Sequence, residues 1–440
     1  MTFQESVEYL LSLGNEVSAM KLGLANVRKL LETLGDPQNN YLKVQVACTN
    51  GKGSVCAFLD AVCRNARINT GVYTSPHLVS ITERIRIDGS EISETDFARL
   101  ATKIRDTCEK LVETGELETV STYFEQVTAI GLKAFAEAGV QLAILETGLG
   151  GRLDATTAAN AEIAAISRID IDHQEYLGST IEEIAAEKAA IVRPDSLACV
   201  GRQLPEANAI IASRCAEVGV VPRTLETAKW NGQRPAVDFI NIDGWSGKEY
   251  FLGLLGEHQV ENAALAVLVA NTLKKLLPIT DEDIRQGLRN ATHPGRLEWV
   301  EHANIRVLLD GAHNRSGAEA LASYLSSNLP DANVALVYGT VKDKDYESIL
   351  RILSPFAADV ILTEPRNSRS ASAAAIARSN VLLQSKKRVF VISDVAKALG
   401  AAVEKARKYS GGTPAFILVT GSLYLVGDVK RIINKTRDNL

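Results

Sequence analysis

At 440 residues, with 46% hydrophobic and 23% charged residues, the chain is too long for one ordinary domain and has the mix of a globular protein with a sizeable core. Its formal net charge of −5 argues against a nucleic-acid-binding surface as its main business, although a local basic cleft is compatible with that balance. No apolar run is long enough to span a bilayer, the opening MTFQESVEYLLSL carries acids where a signal peptide carries basic residues, and the six cysteines form no C-x-x-C pair, so buried free thiols in the cytoplasm are expected, with no membrane partner.

Strand-like and helix-like runs alternate along the chain, the signature of a parallel sheet wrapped by helices. The first unit is a strand KVQVAC, a loop TNGKGS and a helix VCAFLDAVCRNARI. Further strands are expected at VQLAILET, followed by the loop GLGGRLDATT, and at EIAAISRI, followed by DIDH. In STIEEIAAEKAAIVRPD, Thr180 and Glu183 have capping-box spacing and Pro194 ends the pattern, so a helix carries Lys188 in its second half. The stretch from about Val220 to Leu255 lacks a helical period and reads as a small β excursion, with a helix from His258 to about Leu277 after it. The turn-forming HPGR at His293 to Arg296 divides a larger α/β domain, residues 1–294, from a smaller one, residues 295–440. In the latter, IRVLLD, NVALVYGT, ADVILTE, RVFVIS and AFILVT are the expected strands.

A glycine loop between strand and helix exposes backbone N–H groups, and the helix N-terminus adds partial positive charge, so Asn50, Gly51, Lys52, Gly53 and Ser54 form a candidate phosphate cradle. Lys52 can reach the terminal phosphates and Ser54 can face Mg²⁺, although the strict P-loop pattern is incomplete; the alternative is a plain connecting turn. Glu146 and His173 are each expected at the C-terminal end of a strand, where open α/β sheets place ligands; a loop acid and a structural histidine are the alternatives to a metal site. Lys188 has apolar residues just beyond it, which hints that it faces inward, and a buried lysine must be paired or chemically altered. Asp310, at the end of an apolar strand, can accept hydrogen bonds from ribose hydroxyls, and Arg296 after its Pro-Gly turn can face a phosphate.

Taken together, KLGL, TNGKGS, YTSPHLVSITERIRI, TYFEQVTA, LETGLGGRLDATT, DHQEYLGSTIEEIAAEKAAIVRP, GEHQVENAALA, HPGRLEWV, LLDGAHN, YGTVKDKDY and LVTGSLYLVGDV resemble the Mur ligase superfamily, and within it the folylpolyglutamate synthase/dihydrofolate synthase family. The resemblance runs from about Lys21 to Gly427. It implies a Mur-ligase-like α/β fold: a P-loop-type parallel-sheet domain with a small β excursion, then a smaller Rossmann-like domain. It also implies an ATP-dependent ligase that joins L-glutamate to dihydropteroate or a folate through an acyl phosphate, acting as a monomer on small molecules only.

By the same resemblance, Gly51 to Ser54 hold ATP phosphates, with Asn262, Arg296 and Asp310 as further ATP contacts. Ser75, Glu146 and His173 match Mg²⁺ ligands, and Lys188 matches a lysine that becomes a carbamate able to hold a second Mg²⁺. His313 matches a residue near the phosphates, so Lys52, Lys188 and His313 are the candidate catalytic set. The pterin side is implied at Lys21, Leu22 and Gly23, at Ser121, Thr122, Tyr123 and Phe124, and at Leu153, Asp154 and Ala155. Asn26, Thr147, Arg168 and Arg315 depart from the usual Arg, Val, small or apolar residue, and Pro. A Mur-type ligase for another acid and a non-catalytic nucleotide-binding module are the alternatives; the GLGGRLDAT loop argues against the first, and retention of Lys52, Glu146 and Lys188 against the second.

Overall fold

The computed structural model describes residues 1–14, 23–230, 236–242, 244–385, 387–409 and 414–437. The chain divides into two compact units, one of residues 1–253 and 259–292, the other of residues 254–258 and 293–440. Lys21 and Leu22 lie outside the described residues.

The first unit is built on ten strands: β1 Leu42–Ala47, β2 Thr70–Tyr73, β3 Ile85–Ile87, β4 Ser90–Glu91, β5 Leu142–Glu146, β6 Ile163–Ile166, β7 Leu197–Val200, β8 Arg223–Trp230, β9 Ala236–Ile242 and β10 Trp245–Phe251. They pair in the order β10-β9-β8-β7-β6-β1-β5-β2-β3-β4. From β8 to β2 every pairing is parallel. A parallel sheet is covered on both faces, so its strands read as continuous apolar runs rather than alternating ones. That is the pattern of LAILE in β5 and IAAI in β6, in which every residue is buried. Register sets the edge: Val46 pairs with Glu146 and Ala47 with Ile166, so β5, β1 and β6 end together.

The expected β excursion is present, but it does not stand apart. β8 pairs with β7 and extends the main sheet before β9 and β10 turn back antiparallel. Phe239, Trp245 and Tyr250 pack as a cluster there, with ring centroids 5.4–6.0 Å apart. The helix Gln259–Leu273 is apolar all round and nearly wholly buried, packed on the helix Lys52–Asn65 and on β8. The helix Ile181–Ala189 starts at the expected capping box: the Glu183 amide donates to Thr180 Oγ1 at 3.3 Å, and the Thr180 amide donates to the Glu183 carboxylate at 3.2 Å.

The second unit holds β11 Glu298–His302, β12 Ile305–Leu309, β13 Asn333–Tyr338, β14 Ala357–Leu362, β15 Arg388–Val391 and β16 Ala415–Thr420. Their order is β11-β12-β16-β13-β14-β15, parallel except for the antiparallel pair β11–β12. β11 was not among the expected strands. Leu308, Leu336, Val360 and Leu418 belong to this unit's own core. All six cysteines are buried and free. Among the described residues no helix is long and apolar enough to cross a membrane.

Candidate active site

The loop after β1 is fixed by its neighbours. Gly51 caps the helix Lys52–Asn65 with φ 96°, a left-handed conformation that glycine adopts without strain. A Cβ at Gly51 would overlap the carboxamide of Asn262, so the loop lies against the helix Gln259–Leu273. From that helix Gln259 donates to Ser54 Oγ at 3.2 Å and accepts from Asn262 Nδ2 at 2.9 Å. Across the sheet edge, Thr49 Oγ1 donates to the Asp170 carbonyl at 2.8 Å and accepts from the Asp170 amide at 3.0 Å. Ser167 Oγ donates to the Asn50 carbonyl at 3.0 Å. The loop after β6, which leads to His173, is thereby tied to the loop after β1.

Two lysines converge on one backbone oxygen. Lys52 Nζ and Lys188 Nζ each donate to the Cys48 carbonyl, both at 3.0 Å. Lys188 is 4% exposed. Burial, with the Lys52 charge adding to it, pulls the Lys188 ammonium down to about 7. The inward orientation expected from the apolar residues after Lys188 is what the fold shows.

Glu146 ends β5, is 6% exposed and accepts from the Ser75 amide at 3.1 Å. His173 does not end a strand. It caps the short helix Gln174–Leu177 in a left-handed conformation, φ 52°, seven positions beyond the end of β6. Among the described residues no three His, Cys, Asp or Glu side chains make a ready-formed metal cage. The proposed donor set differs in kind: a serine hydroxyl, one carboxylate, one imidazole and a lysine. The Ser75 and Glu146 oxygens suit Mg²⁺, whereas Lys188 as an ammonium does not.

The loop Gly148–Thr157 is organised from within. Asp154, buried, accepts from the amides of Gly148 at 2.8 Å, Leu149 at 2.9 Å and Thr156 at 3.0 Å, and from Thr156 Oγ1. Desolvation nonetheless raises its carboxyl above the ordinary range. Leu153 is half-buried and Ala155 buried. Phe124 lies over this loop, since a Cβ on Gly148 would strike its ring, and stacks edge-on against Tyr73 at 6.1 Å. Its neighbours have interior roles: Ser121 is fully buried, Thr122 caps the helix Tyr123–Ala138, and Tyr123 is buried beneath the Arg84 guanidinium, 5.7 Å from its ring. Gly23 has open space around its Cα.

In the second unit, Asp310 accepts from the Leu297 amide and the Ala312 amide, both at 2.9 Å, which pins the HPGR turn to the end of β12. Burial raises its carboxyl too. Arg296 lies beside Gly311, and the His313 ring shares a hydrogen bond with the Gly311 carbonyl at 2.8 Å. Arg315, where Pro was the usual residue, opens the helix Arg315–Asn328 and pairs with Glu319 at 2.8 Å on the surface.

Two family models match: the Mur ligase middle domain over residues 46–270, and the Mur ligase, glutamate ligase domain, over residues 295–423. A probable dihydrofolate synthetase of Schizosaccharomyces pombe is 33% identical over 424 residues, 94% of this chain and 99% of that one. The chain belongs to the dihydrofolate synthase/folylpolyglutamate synthase family of Mur ligases. Escherichia coli FolC in complex with DHPP and ADP superposes with a TM-score of 0.86 at 30% identity, covering 99% of each chain. The Yersinia pestis bifunctional folylpolyglutamate synthase/dihydrofolate synthase complexed with AMPPNP and Mn ion gives 0.83 at 32% identity, covering 99% of this chain and 98% of that one.

Two buried residues that pack against the candidate residues were not anticipated. Gln259 is one, and its signal was available: it lies three positions before Asn262, on the same helical face. Arg84 is the other, 2% exposed and donating to His77 Nδ1 at 2.8 Å; a basic residue within ITERIRI gives no sign from spacing that it points inward.

Proposed function

We propose that the chain is an ATP-dependent ligase that joins L-glutamate to the carboxylate of a pterin acid, converting dihydropteroate to dihydrofolate, folate to folylpolyglutamate, or both. The carrying observation is the joining of the phosphate loop, Glu146 and Lys188 at one edge of the sheet, with both lysines on the Cys48 carbonyl. The names of the relatives support the same reading.

The γ-phosphoryl group of ATP passes to the substrate carboxylate, ADP leaves, the glutamate α-amine attacks the acyl phosphate, and phosphate departs as the amide forms. Phosphoryl transfer needs positioning and charge neutralisation more than a protein nucleophile. The amides of Gly51 to Ser54 face the phosphates, and Lys52 exchanges its carbonyl partners for them. In the first unit Asn262 is the further nucleotide contact that the family resemblance supports; in the second unit the same resemblance supports nucleotide-binding roles for Arg296 and Asp310 and a catalytic role for His313. Phe124 and the loop Leu153–Ala155 receive the pterin acid. Asp154 acts by shaping that loop, since its carboxylate is already taken up by the loop's own donors.

Ser75, Glu146 and His173 would hold Mg²⁺, which supplies charge neutralisation to the phosphates when bound. Lys188, uncharged, adds to carbon dioxide to give a carbamate and a proton, which converts a buried cation into an anion of the kind that suits a second Mg²⁺. A cytoplasmic location and a monomer are part of the same proposal, and six buried free thiols support the location.

The test is ADP release with dihydropteroate and glutamate, and separately with a tetrahydrofolate and glutamate. Turnover that requires both the acid and glutamate is the expected result. ADP release that ignores glutamate, or no turnover with any pterin acid, would overturn the reading.

A further inference from the structure

Gln45 lies on β1, three residues before the loop that holds the phosphates, and is 1% exposed. Its amide nitrogen donates to Thr157 Oγ1 at 2.7 Å and Thr156 Oγ1 at 2.9 Å, with Thr147 Oγ1 at 3.4 Å. Both principal acceptors have already committed their protons. Thr156 Oγ1 donates to Asp154, and Thr157 Oγ1 donates to the Gly151 carbonyl at 2.7 Å. Only a donor can therefore sit between them, and the two hydrogens of a carboxamide nitrogen match the two oxygens. The carboxamide oxygen has no partner among the described residues, so the nitrogen alone accounts for the placement.

The network continues in both directions. Through Asp154 it fixes the amides of Gly148 and Leu149. Beyond Gly151, the Arg152 amide donates to the Glu187 carbonyl at 2.9 Å, one residue before Lys188. One side chain thus joins the strand of the phosphate loop to the loop Gly148–Thr157 and, through it, to the helix of Lys188.

We infer that Gln45 is a positioning residue that sets the loop Gly148–Thr157, and with it the pterin acid's carboxylate, in register with the phosphate loop. This rests on the ligase reading above. A carboxylate in place of the carboxamide reverses the polarity: each threonine must turn its proton inward, releasing Asp154 and Gly151. Gln45→Glu therefore reorganises the loop, and Gln45→Met, similar in length and without a donor, loosens it.

In the full chain, with ADP release as the assay, the dihydropteroate KM should rise about tenfold in Gln45→Glu and less in Gln45→Met, while the ATP KM stays within about twofold. A purely structural role would lower kcat through loss of folded enzyme and leave both KM values alone. Should neither Gln45 variant fold, Thr157→Val carries the same test, since it removes one acceptor from the same network. Hydrogen exchange in the ligand-free protein gives an arm that does not depend on turnover: amides of residues 148–157 should exchange faster in the variants, and those of residues 49–54 should not. Equal changes in the two KM values, a fall in kcat alone, or unchanged exchange in residues 148–157 would overturn the inference. Lack of turnover in the wild type would instead overturn the ligase reading and leave the exchange arm to decide this one.

Discussion

At the scale of single residues, Lys188 sets chemistry against stability. Its ordinary value is 10.5 and the fold pulls it to about 7, so between those values the unfolded chain binds a proton that the folded chain does not. Stability contributed at this position therefore rises with pH from about 7 towards 10.5, and is flat below 7, where both states are protonated. Replacing the lysine with an apolar side chain removes the cost of burying the charge. In bicarbonate-free buffer Lys188→Met should be more stable than the wild type at pH 6.5, by roughly 1–4 kcal/mol, with the gap closing as pH rises. The same variant should lose turnover. Thermal melting at pH 6.5 and 9 measures this, and a variant that melts lower than wild type at pH 6.5 would show that the ammonium has stabilising partners after all. Glu146 makes a complementary case: Glu146→Gln keeps an acceptor for the Ser75 amide but removes the charge, so folding should persist while activity falls by about a hundredfold or more and added Mg²⁺ does not restore it. Full activity in that variant would remove Glu146 from the metal set.

At the scale of elements, the phosphate loop depends on one close approach. Gly51→Ala meets two costs, a left-handed backbone of about 1 kcal/mol and overlap with Asn262. The ATP KM of that variant should rise steeply. Asn262→Ala relieves the overlap but removes a proposed nucleotide contact, so the double variant should lose less than the two single losses added together, a coupling of about 0.5–3 kcal/mol by double-mutant cycle. Strict additivity would mean that the two elements do not meet.

Elements of this kind were legible in the sequence where local chemistry decides them. The largely apolar runs KVQVAC, VQLAILET and EIAAISRI mark β1, β5 and β6 because strands of a parallel sheet are covered on both faces, with Lys43 and Gln45 as buried polar exceptions in β1, and Thr180 with Glu183 marks a helix start by reciprocal hydrogen bonds. The short strands β3 and β4 gave too few residues for a period to show, and the edge strand β11, EWVEH, has no fully buried residue and so no apolar run. The site divides along the same line. Lys52, Glu146 and the inward Lys188 follow from sheet-end and helix logic. The cap that Thr122 makes with Glu125 obeys the same spacing rule as Thr180 with Glu183 and was open to the same reading. The donors that gather on Asp154, the distance of His173 from its strand and the turn of Arg84 onto His77 depend on loop geometry, which no helix or strand period encodes.

At the scale of the whole molecule, the two units have separate cores: Leu145, Ile130 and Phe135 lie in one, Leu308, Leu336 and Leu418 in the other. Separate cores of this size make a single all-or-none transition unexpected, so calorimetry should resolve two. Trp299 belongs to the second unit, where it stacks on Phe416 at 5.2 Å, so Trp299→Phe leaves Trp230 and Trp245 reporting on the first unit alone. A ligand that binds only the folded state stabilises it by RT ln(1 + [L]/Kd), about 2.7 kcal/mol at a hundredfold excess over Kd. A non-hydrolysable ATP analogue with Mg²⁺ should therefore raise the fluorescence transition of the Trp299→Phe chain. Lys52→Ala should abolish most of the shift, because Lys52 is the cation proposed to leave its backbone carbonyls for the phosphates. A shift that survives the loss of Lys52 would place the nucleotide away from the loop after β1, and the assignment of Gly51 to Ser54 as the phosphate cradle would fall with it.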